Sequence, residues 1–533
     1  MHYTKWTIIA RPREVPPTIK GERKNPGSEL AWILVGWFII KVDVKRQGEK
    51  IMEMGLDGGQ YKPLSQDKIG RIHESALRVL EVAGVKVDLD NALEIFSDAG
   101  ARVNAENKRV RIPARIVEKY LGSAPSTVIL YGREPKNNLI LENTRVYMGT
   151  GGAALKVIDP NSGEKRPSNL EDIAKLAKLA DGLENIHFFT IPCTAQDIPQ
   201  DKVSINEFYA AISNTSKHIM GPVHSPQDVN DVINMASIIC GGQEKLKEQP
   251  FISFVASWMV SPLTFDPEVT NFLIEIVKGG MPVALSSAPM AGATSPITMA
   301  GTLTQLHAEE MAGVVFTQLI KPGAPVLYGG IPGMADMYDL SYKAGGVEFG
   351  FMNAAISQLA TYIDVPNYCS AGITEAKIPS MQAIYEKTFS ICQCALAGAN
   401  YVHHAAGVLE SILTVGYGQF VIDNEIIGMA MKMVKGIEVD ADTLAIDLIN
   451  EVGPGGNFFS TRHTRKYLRS EYFEPMLMPR SARTSPETLQ KQQPLQILHY
   501  AREKAREIIE GHETLAIPQE IDKRIRERYR ILL

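Results

Sequence analysis

The chain has 533 residues, room for three or four domains at roughly 150 residues each, or for one barrel with appendages. Hydrophobic residues make up 45% and charged residues 22%, the balance of a soluble globular protein, which excludes a disordered, collagenous or wholly membrane-embedded chain. Lys+Arg is 55 against 60 Asp+Glu, a formal net charge of −5, so there is no basic footprint to suggest nucleic acid.

Leu30–Ile40 (LAWILVGWFII) is the longest strongly apolar run. At about 11 residues it is too short for a bilayer, which takes roughly 20. It also sits too deep in the chain, with no small-residue cleavage site, for a secretory signal. Gly48-Glu49 back-translates to a purine-rich stretch just ahead of Met52 and Met54, as a ribosome-binding site would. Residues 1–53 are therefore read as a non-native or disordered extension, with the start at Met52 or Met54. The rival reading is an N-terminal arm or partner-binding segment.

Residues 54–143 read as a small helical domain. Ile69, Ile72, Ala76, Leu77, Leu80 and Ala83 have helical spacing, with Ser65 as N-cap and Gly84 as C-cap. A second helix (Leu89–Ala99), a short strand (Arg109–Ile112) and a third helix ending near Gly122 follow.

Over residues 144–437, short β-branched runs alternate with helical stretches. The runs are Val146–Gly149, His187–Pro192, His218–Val223, Phe251–Ser257, Pro282–Ser287, Pro325–Gly330, Asn367–Gly372 and Tyr401–Gly407. Eight strand–helix units in a row predict an α/β fold, a (β/α)8 TIM barrel. Gly149–Gly152 lacks the GxGxxG spacing of a dinucleotide site. Residues 438–533 read as a helical extension, with Asp440–Val452 and Glu487–Gly511 helical and Gly453–Phe459 a sharp turn.

In such a barrel, chemistry sits at the C-terminal ends of the strands. Tyr147, Phe189, Trp258, Tyr328, Tyr338, Phe349 and Tyr368 fall at or after strand ends. As a cluster they suggest a wall for a cation, most of all a quaternary ammonium; singly, each also reads as packing. Small-residue loops include Gly151, Gly152, Gly329 and Gly330. Polar groups include Asp197, Asp336, Glu348, Glu375, Lys377, His403 and His404. The two histidines are neighbours on a strand and are expected on opposite sides of it, one facing the barrel interior and one the helices. No set has metal-ligand spacing, so no metal is expected. Five cysteines without a CxxC pair read as reduced thiols, and so as a cytoplasmic protein.

Several segments in order resemble the trimethylamine methyltransferase family of corrinoid-dependent enzymes. They include Leu64–Asp88 (LSQDKIGRIHESALRVLEVAGVKVD), Val146–Asp159 (VYMGTGGAALKVID), Tyr328–Gly350, Ala371–Lys387 (AGITEAKIPSMQAIYEK) and Gly453–Glu474. The resemblance spans roughly residues 60–480 and implies a (β/α)8 barrel that moves a methyl group from a methylamine to cobalt. The corrinoid would be carried by a small partner protein docked over the mouth, with none held permanently by this chain.

Founding members of the family insert pyrrolysine near the end of the seventh strand. Here that stretch, Asn367–Lys377 (NYCSAGITEAK), holds only standard residues. The chain is thus similar to the non-pyrrolysine branch, which acts on quaternary amines. The expected substrate is glycine betaine, with proline betaine, carnitine, choline or dimethylsulfoniopropionate as alternatives. A barrel that binds betaine or a corrinoid protein without turnover is the rival class. The residues assigned on this reading are Glu375, Lys377 and Glu348 as catalytic groups. Tyr147, Trp258, Tyr328, Phe349, Tyr368 and His403 are assigned to the substrate, and Gly151, Gly152, Gly329 and Gly330 to the corrinoid-facing loops. A homo-oligomer without nucleic acid or membrane is expected.

Overall fold

The computed structural model describes residues 31–35, 38–42, 55–477 and 494–533. It divides into two units, residues 1–52 and 53–533. In the first, Ala31–Val35 pairs antiparallel with Phe38–Val42, so the apolar run is β-structured. The expected start residues Met52 and Met54 lie outside the described residues.

The second unit is built on eight parallel strands: β1 (Arg145–Thr150), β2 (Phe188–Thr190), β3 (His218–Gly221), β4 (Ile252–Ala256), β5 (Val283–Leu285), β6 (Val326–Gly329), β7 (Asn367–Ser370) and β8 (Tyr401–Ala406). They pair in that order, and β8 returns to β1, closing the barrel. Each strand is followed by a helix: α1 (Leu170–Asp181), α2 (Val203–Asn214), α3 (Pro226–Cys240), α4 (Pro267–Gly279), α5 (Met299–Ile320), α6 (Val347–Tyr362), α7 (Met381–Ala397) and α8 (Tyr417–Lys435). The strands are buried along their length, as expected when helices cover a parallel sheet. Caps fix where helices begin: Asn169 and Asp172 form a capping box on α1, and Asp266 caps α4.

The expected N-terminal helix runs Gln66–Val82, with Ser65 accepting from the Lys68 N–H as foreseen. Gly84 follows it at φ 68, where an added Cβ would lie 2.2 Å from the Val110 carbonyl oxygen. The expected short strand is present at Arg109–Arg111, and the stretch 54–143 contributes two more, paired with it, that the sequence reading did not place. Val85–Val87, Arg102–Asn104 and Arg109–Arg111 form a sheet that continues into Thr264–Phe265, beyond β4.

A hairpin, Val128–Leu130 with Leu139–Leu141, lies under the barrel. Its continuation is tied to the starts of β3 and β4: the Tyr131 N–H donates to Pro250, and its carbonyl accepts from His218 Nδ1. The hairpin's apolar side packs on Tyr147, Phe188, Met220, Leu327 and Tyr401 inside the barrel. The barrel is therefore a packed well, closed at the N-terminal end of its strands.

Past α8, the helices among the described residues are Ile446–Val452, Arg462–Glu471, Pro494–Gly511 and Gln519–Arg528. The last two wrap the barrel. His512 Nε2 meets Asp181 at the end of α1 (2.7 Å), and the Leu532 N–H donates to Asn206 on α2 (2.7 Å).

Candidate functional site at the barrel mouth

A cavity of about 470 Å³ opens at the C-terminal ends of the strands. Its floor comes from Thr190, Val255, Ser286, Tyr368, His403 and His404, one or two residues from each of five strand ends. Phe272 and Glu268 of α4, with Ile331 and Ile412, complete part of the rim. The lining contains one carboxylate, Glu268, and no Lys or Arg.

An aromatic column rises through the well to this floor. Phe188 stacks on Tyr401 (ring centroids 3.6 Å apart), Tyr401 on Tyr368 (5.7 Å), Tyr368 on His403 (3.9 Å), and His403 adjoins His404 (3.9 Å). The Tyr401 hydroxyl is anchored to Thr190 (2.9 Å).

Both histidines line the cavity, contrary to the alternation expected of a strand. The reason is a register shift in the β8–β1 pairing between Val402 and Ala406, with His404 at φ 65. A left-handed non-glycine residue inside a strand is strained, and such bulges re-aim side chains next to active sites. The end of β1 accommodates the bulge through Gly151, where an added Cβ would stand 2.8 Å from the His404 nitrogen. Gly152 lines the cavity at φ 127.

The two imidazoles differ in their partners. His404 Nδ1 is hydrogen-bonded to the Ser370 hydroxyl at 2.8 Å, and its pKa is pushed down to about 3 by burial and by the Lys387 charge. His403 is 1% exposed, and neither of its ring nitrogens has a partner. Burial, then its neighbour His404, hold its pKa far below the ordinary range, so it is neutral. A neutral imidazole offers one donor and one acceptor. Leaving both unmet in a buried place is costly, and such orphans call for a ligand.

The other assigned aromatic residues lie elsewhere, and each has a physical reason. Tyr147 sits low in β1, its hydroxyl accepting from the Gly55 N–H (3.0 Å) and the Ile140 N–H (3.2 Å) of the closing hairpin. Trp258 is fully buried behind the wall, edge-on to Phe265 and pressed against Gly313 of α5. Tyr328 also points into the helix layer, where its hydroxyl meets His307 Nδ1 at 2.7 Å, and His307 meets His73 at 2.9 Å. These three belong to packing, not to a wall of the cavity. Tyr368 does line it, but one ring face is covered by His403.

Glu348, Glu375 and Phe349 line a separate recess with Glu386 and Lys343. The Glu375 carboxylate accepts from the Ala344 N–H (2.7 Å) and the Gly345 N–H (2.9 Å), holding the loop before α6. Lys377 is exposed. None of the three assigned catalytic groups lines the mouth cavity. Gly329 lies in the barrel wall, where a Cβ would meet the carbonyl oxygens of Leu285 and Tyr368 at 2.5 and 2.6 Å. Gly330, at φ 142, is pressed on Leu306. Neither lines the cavity.

Two supports were missed. Glu310 on α5 accepts from the Ser287 N–H and the Gly329 N–H (both 3.0 Å), clamping the ends of β5 and β6; burial raises its pKa strongly. Lys387 on α7 and Asp423 on α8 form a fully buried ion pair at 3.2 Å. Lys387 donates to the carbonyls of Gly372 and Val408, and Asp423 accepts from the Gly407 N–H at 2.7 Å. The pair thereby ties the loops after β7 and β8. The sequence signal for all three was a charged residue among apolar side chains of a barrel helix, shared with neighbours such as Glu309, Glu386 and Glu425 on the same helices. Among the described residues no group of three or more His, Cys, Asp or Glu could hold a metal ion.

Comparison with known proteins bears on most of the chain. A family profile described as "Trimethylamine methyltransferase (MTTB)" matches residues 44–530. Trimethylamine methyltransferase MttB of Desulfitobacterium hafniense (strain DSM 10664 / DCB-2) is 37% identical over 428 residues, 80% of this chain and 86% of that protein. A glycine betaine methyltransferase of Desulfitobacterium hafniense (strain Y51) is 34% identical over 425 residues, 79% of this chain and 88% of that protein. Among solved structures, the monomethylamine methyltransferase MtmB of Methanosarcina barkeri aligns over 86% of this chain and 96% of that one, at 12% identity and a TM-score of 0.44.

Proposed function

Because the chain belongs to the trimethylamine methyltransferase family, we propose that it transfers a methyl group from a quaternary amine to the cobalt of a separate corrinoid-carrying protein seated over the barrel mouth. Glycine betaine is the leading substrate. The acceptor supplies Co(I) as the nucleophile. The C–N bond breaks, its electron pair stays on nitrogen, and a neutral tertiary amine leaves. Such a reaction needs orientation and exclusion of water more than an electrophilic residue.

The observation that carries this reading is the buried floor of the well, with the neutral, partnerless His403 beside Tyr368. A permanent cation needs no hydrogen-bond acceptor for an N–H, and the lining's one charged group is the carboxylate Glu268. His403 would hold the polar end of the substrate in the cavity that Ser286 and Thr190 also line. Gly152 and the small residues around it leave room for a flat macrocycle at the rim. Glu375, in its own recess, is assigned here to holding the loop before α6.

One observation favours a second substrate. The lining has no Lys or Arg to match a carboxylate, which suits choline, a quaternary amine without one. The reading places the enzyme in the cytoplasm, in keeping with five cysteines all present as free thiols. No helix among the described residues is long and apolar enough to cross a membrane.

The test is a single-turnover assay with Co(I) corrinoid protein and each amine at matched concentration, following methyl-Co(III) by absorbance. Glycine betaine or choline should methylate the cobalt, and trimethylamine should not. An uncharged tertiary amine has a poorer leaving group, and its protonated form carries an N–H that this floor would have to satisfy. Comparable rates with trimethylamine would refute the quaternary-amine reading. Binding without any spectral change would favour a non-catalytic receptor.

A further inference from the structure

Just past the bulged end of β8 the chain makes a hairpin at the barrel mouth. Val408–Leu409 runs antiparallel to Thr414–Gly416, with Leu409 opposite Thr414. The second strand also pairs with Lys156–Ile158 in the loop after β1. The connection is left-handed at three residues in succession, Glu410 (φ 54), Ser411 (φ 50) and Ile412 (φ 72). The Leu413 N–H closes it by donating to the Glu410 carbonyl at 3.0 Å. Two positive φ values inside such a bond are the pattern of a type I′ turn, which favours Asn-Gly or Asp-Gly at its centre. This chain has Ser411-Ile412 there.

Isoleucine is poorly suited to that place. A left-handed backbone brings Cβ against the following carbonyl oxygen, and a branched Cβ makes the crowding worse. The neighbouring loops hold the turn against this strain. The Glu410 N–H donates to the Ala376 carbonyl (2.9 Å) and the Ser411 N–H to the Thr374 carbonyl (2.8 Å), both in the loop after β7. The Glu410 carboxylate accepts from the Thr414 hydroxyl (2.7 Å) and pairs with Lys165 (2.5 Å). Glycine would make the same turn without strain. Strain that the surroundings enforce marks a position whose side chain has a task.

The Ile412 side chain lines the mouth cavity, while Leu413 beside it is 53% exposed. Val255 and Phe272, which share that lining, stand on β4 and α4 and are delivered by regular elements. Ile412 reaches the cavity only because the turn is bent to carry it. We propose that Ile412 sets the size limit of the well. It narrows the mouth so that the well takes an ammonium group bearing methyl substituents and turns away a bulkier one. A branched hydrocarbon suits this use, because it presents bulk without a donor or acceptor to a cation that carries no N–H. This role rests on the quaternary-amine reading and adds to it the residue that selects among such amines.

Calorimetry with tetramethylammonium and tetraethylammonium as probes reads the size limit without turnover. The parent should bind the methyl ion at least about tenfold more tightly than the ethyl ion. Ile412→Ala and Ile412→Gly should each bring the two affinities within about threefold of one another, and Ile412→Val, which keeps the branch, should preserve the parent's preference. Ile412→Gly should also melt about 1 °C or more above Ile412→Ala, the reverse of the usual order of these two residues. Discrimination that persists in both truncated variants, its loss in Ile412→Val, a parent that does not discriminate, or an alanine variant that melts above the glycine one would each overturn the proposal. A parent that discriminates by size but methylates cobalt with no quaternary amine would sink the proposed reaction and leave the size limit standing.

Discussion

At the end of β8, two imidazoles lie buried and neutral on a strained bulge, and one of them has no hydrogen bond at all. Five residues past the end of β7, Glu375 is held by the N–H groups of Ala344 and Gly345, and Lys377 stands in solvent. The two strands are neighbours in the sheet, and both ends carry polar residues. Only the first has groups that are dry and unmet. A carboxylate already holding two N–H donors has little left for a ligand, whereas an orphaned ring nitrogen is a position that the fold has left for something else to fill.

The sharpest way to break this distinction is to cut the wall and the floor separately. Trp258→Ala should destabilise the protein by about 3–5 kcal/mol, because a large ring packed on α5 leaves a cavity. Its KM for the amine should stay within about twofold of the parent, since it does not line the well. Denaturant titration together with steady-state kinetics reads both. A raised KM at unchanged stability would put Trp258 back in the substrate cage.

His403→Ala should do the reverse. A loss of kcat/KM of about 100-fold, roughly 2.7 kcal/mol, is expected, with a smaller loss of stability than in Trp258→Ala, because the ring borders an existing cavity and no hydrogen bond within the protein is broken. Unfolding of this variant would mean that the stack on Tyr368 is structural.

A third test concerns carboxylates held behind the barrel. Glu207 on α2 accepts from the Ala195 N–H (2.8 Å), and burial raises its pKa from 4.5 to about 8. The folded value lies above the unfolded one, so the unfolded chain releases its proton first. Stability from this group is present below about pH 4.5 and is lost as the pH rises towards 8, by about 1.4 kcal/mol per pH unit. Glu207→Gln should therefore melt higher than the parent, by a margin that widens from pH 5 to pH 8. A constant margin would show that Glu207 does not carry the slope.

The smallest effect belongs to Lys377→Ala, expected to leave kcat/KM within about twofold. A drop like that of His403→Ala would restore the loop after β7 to the chemistry.

The barrel was legible because its signal is repetition. Each of the eight strands was found within three residues at either end, since β-branched runs bounded by Gly and Pro need only local reading. The site was less so. A position near a strand end names the loop but not the side of the wall, and so Trp258 and Tyr328 were placed in the mouth although they face helices. His403 and His404 show the limit most plainly. Alternation put them on opposite sides, and a bulge set by Gly151 across the sheet brought both to the floor. The closing hairpin 128–141 was missed for a similar reason: two three-residue strands carry too little pattern to be seen without the barrel they close.

Among the described residues, that hairpin closes the well at its base and leaves the mouth as its door. With Tyr147, Phe188 and Tyr401 packed above it, nothing can leave through the base. An acceptor protein seated on the rim would then stand in the doorway. On that reading the amine would have to be inside before the acceptor arrives, and the spent amine would wait until the acceptor departs. Such traffic would run in compulsory order, and crowding the doorway with acceptor should then slow the turnover that the acceptor itself completes.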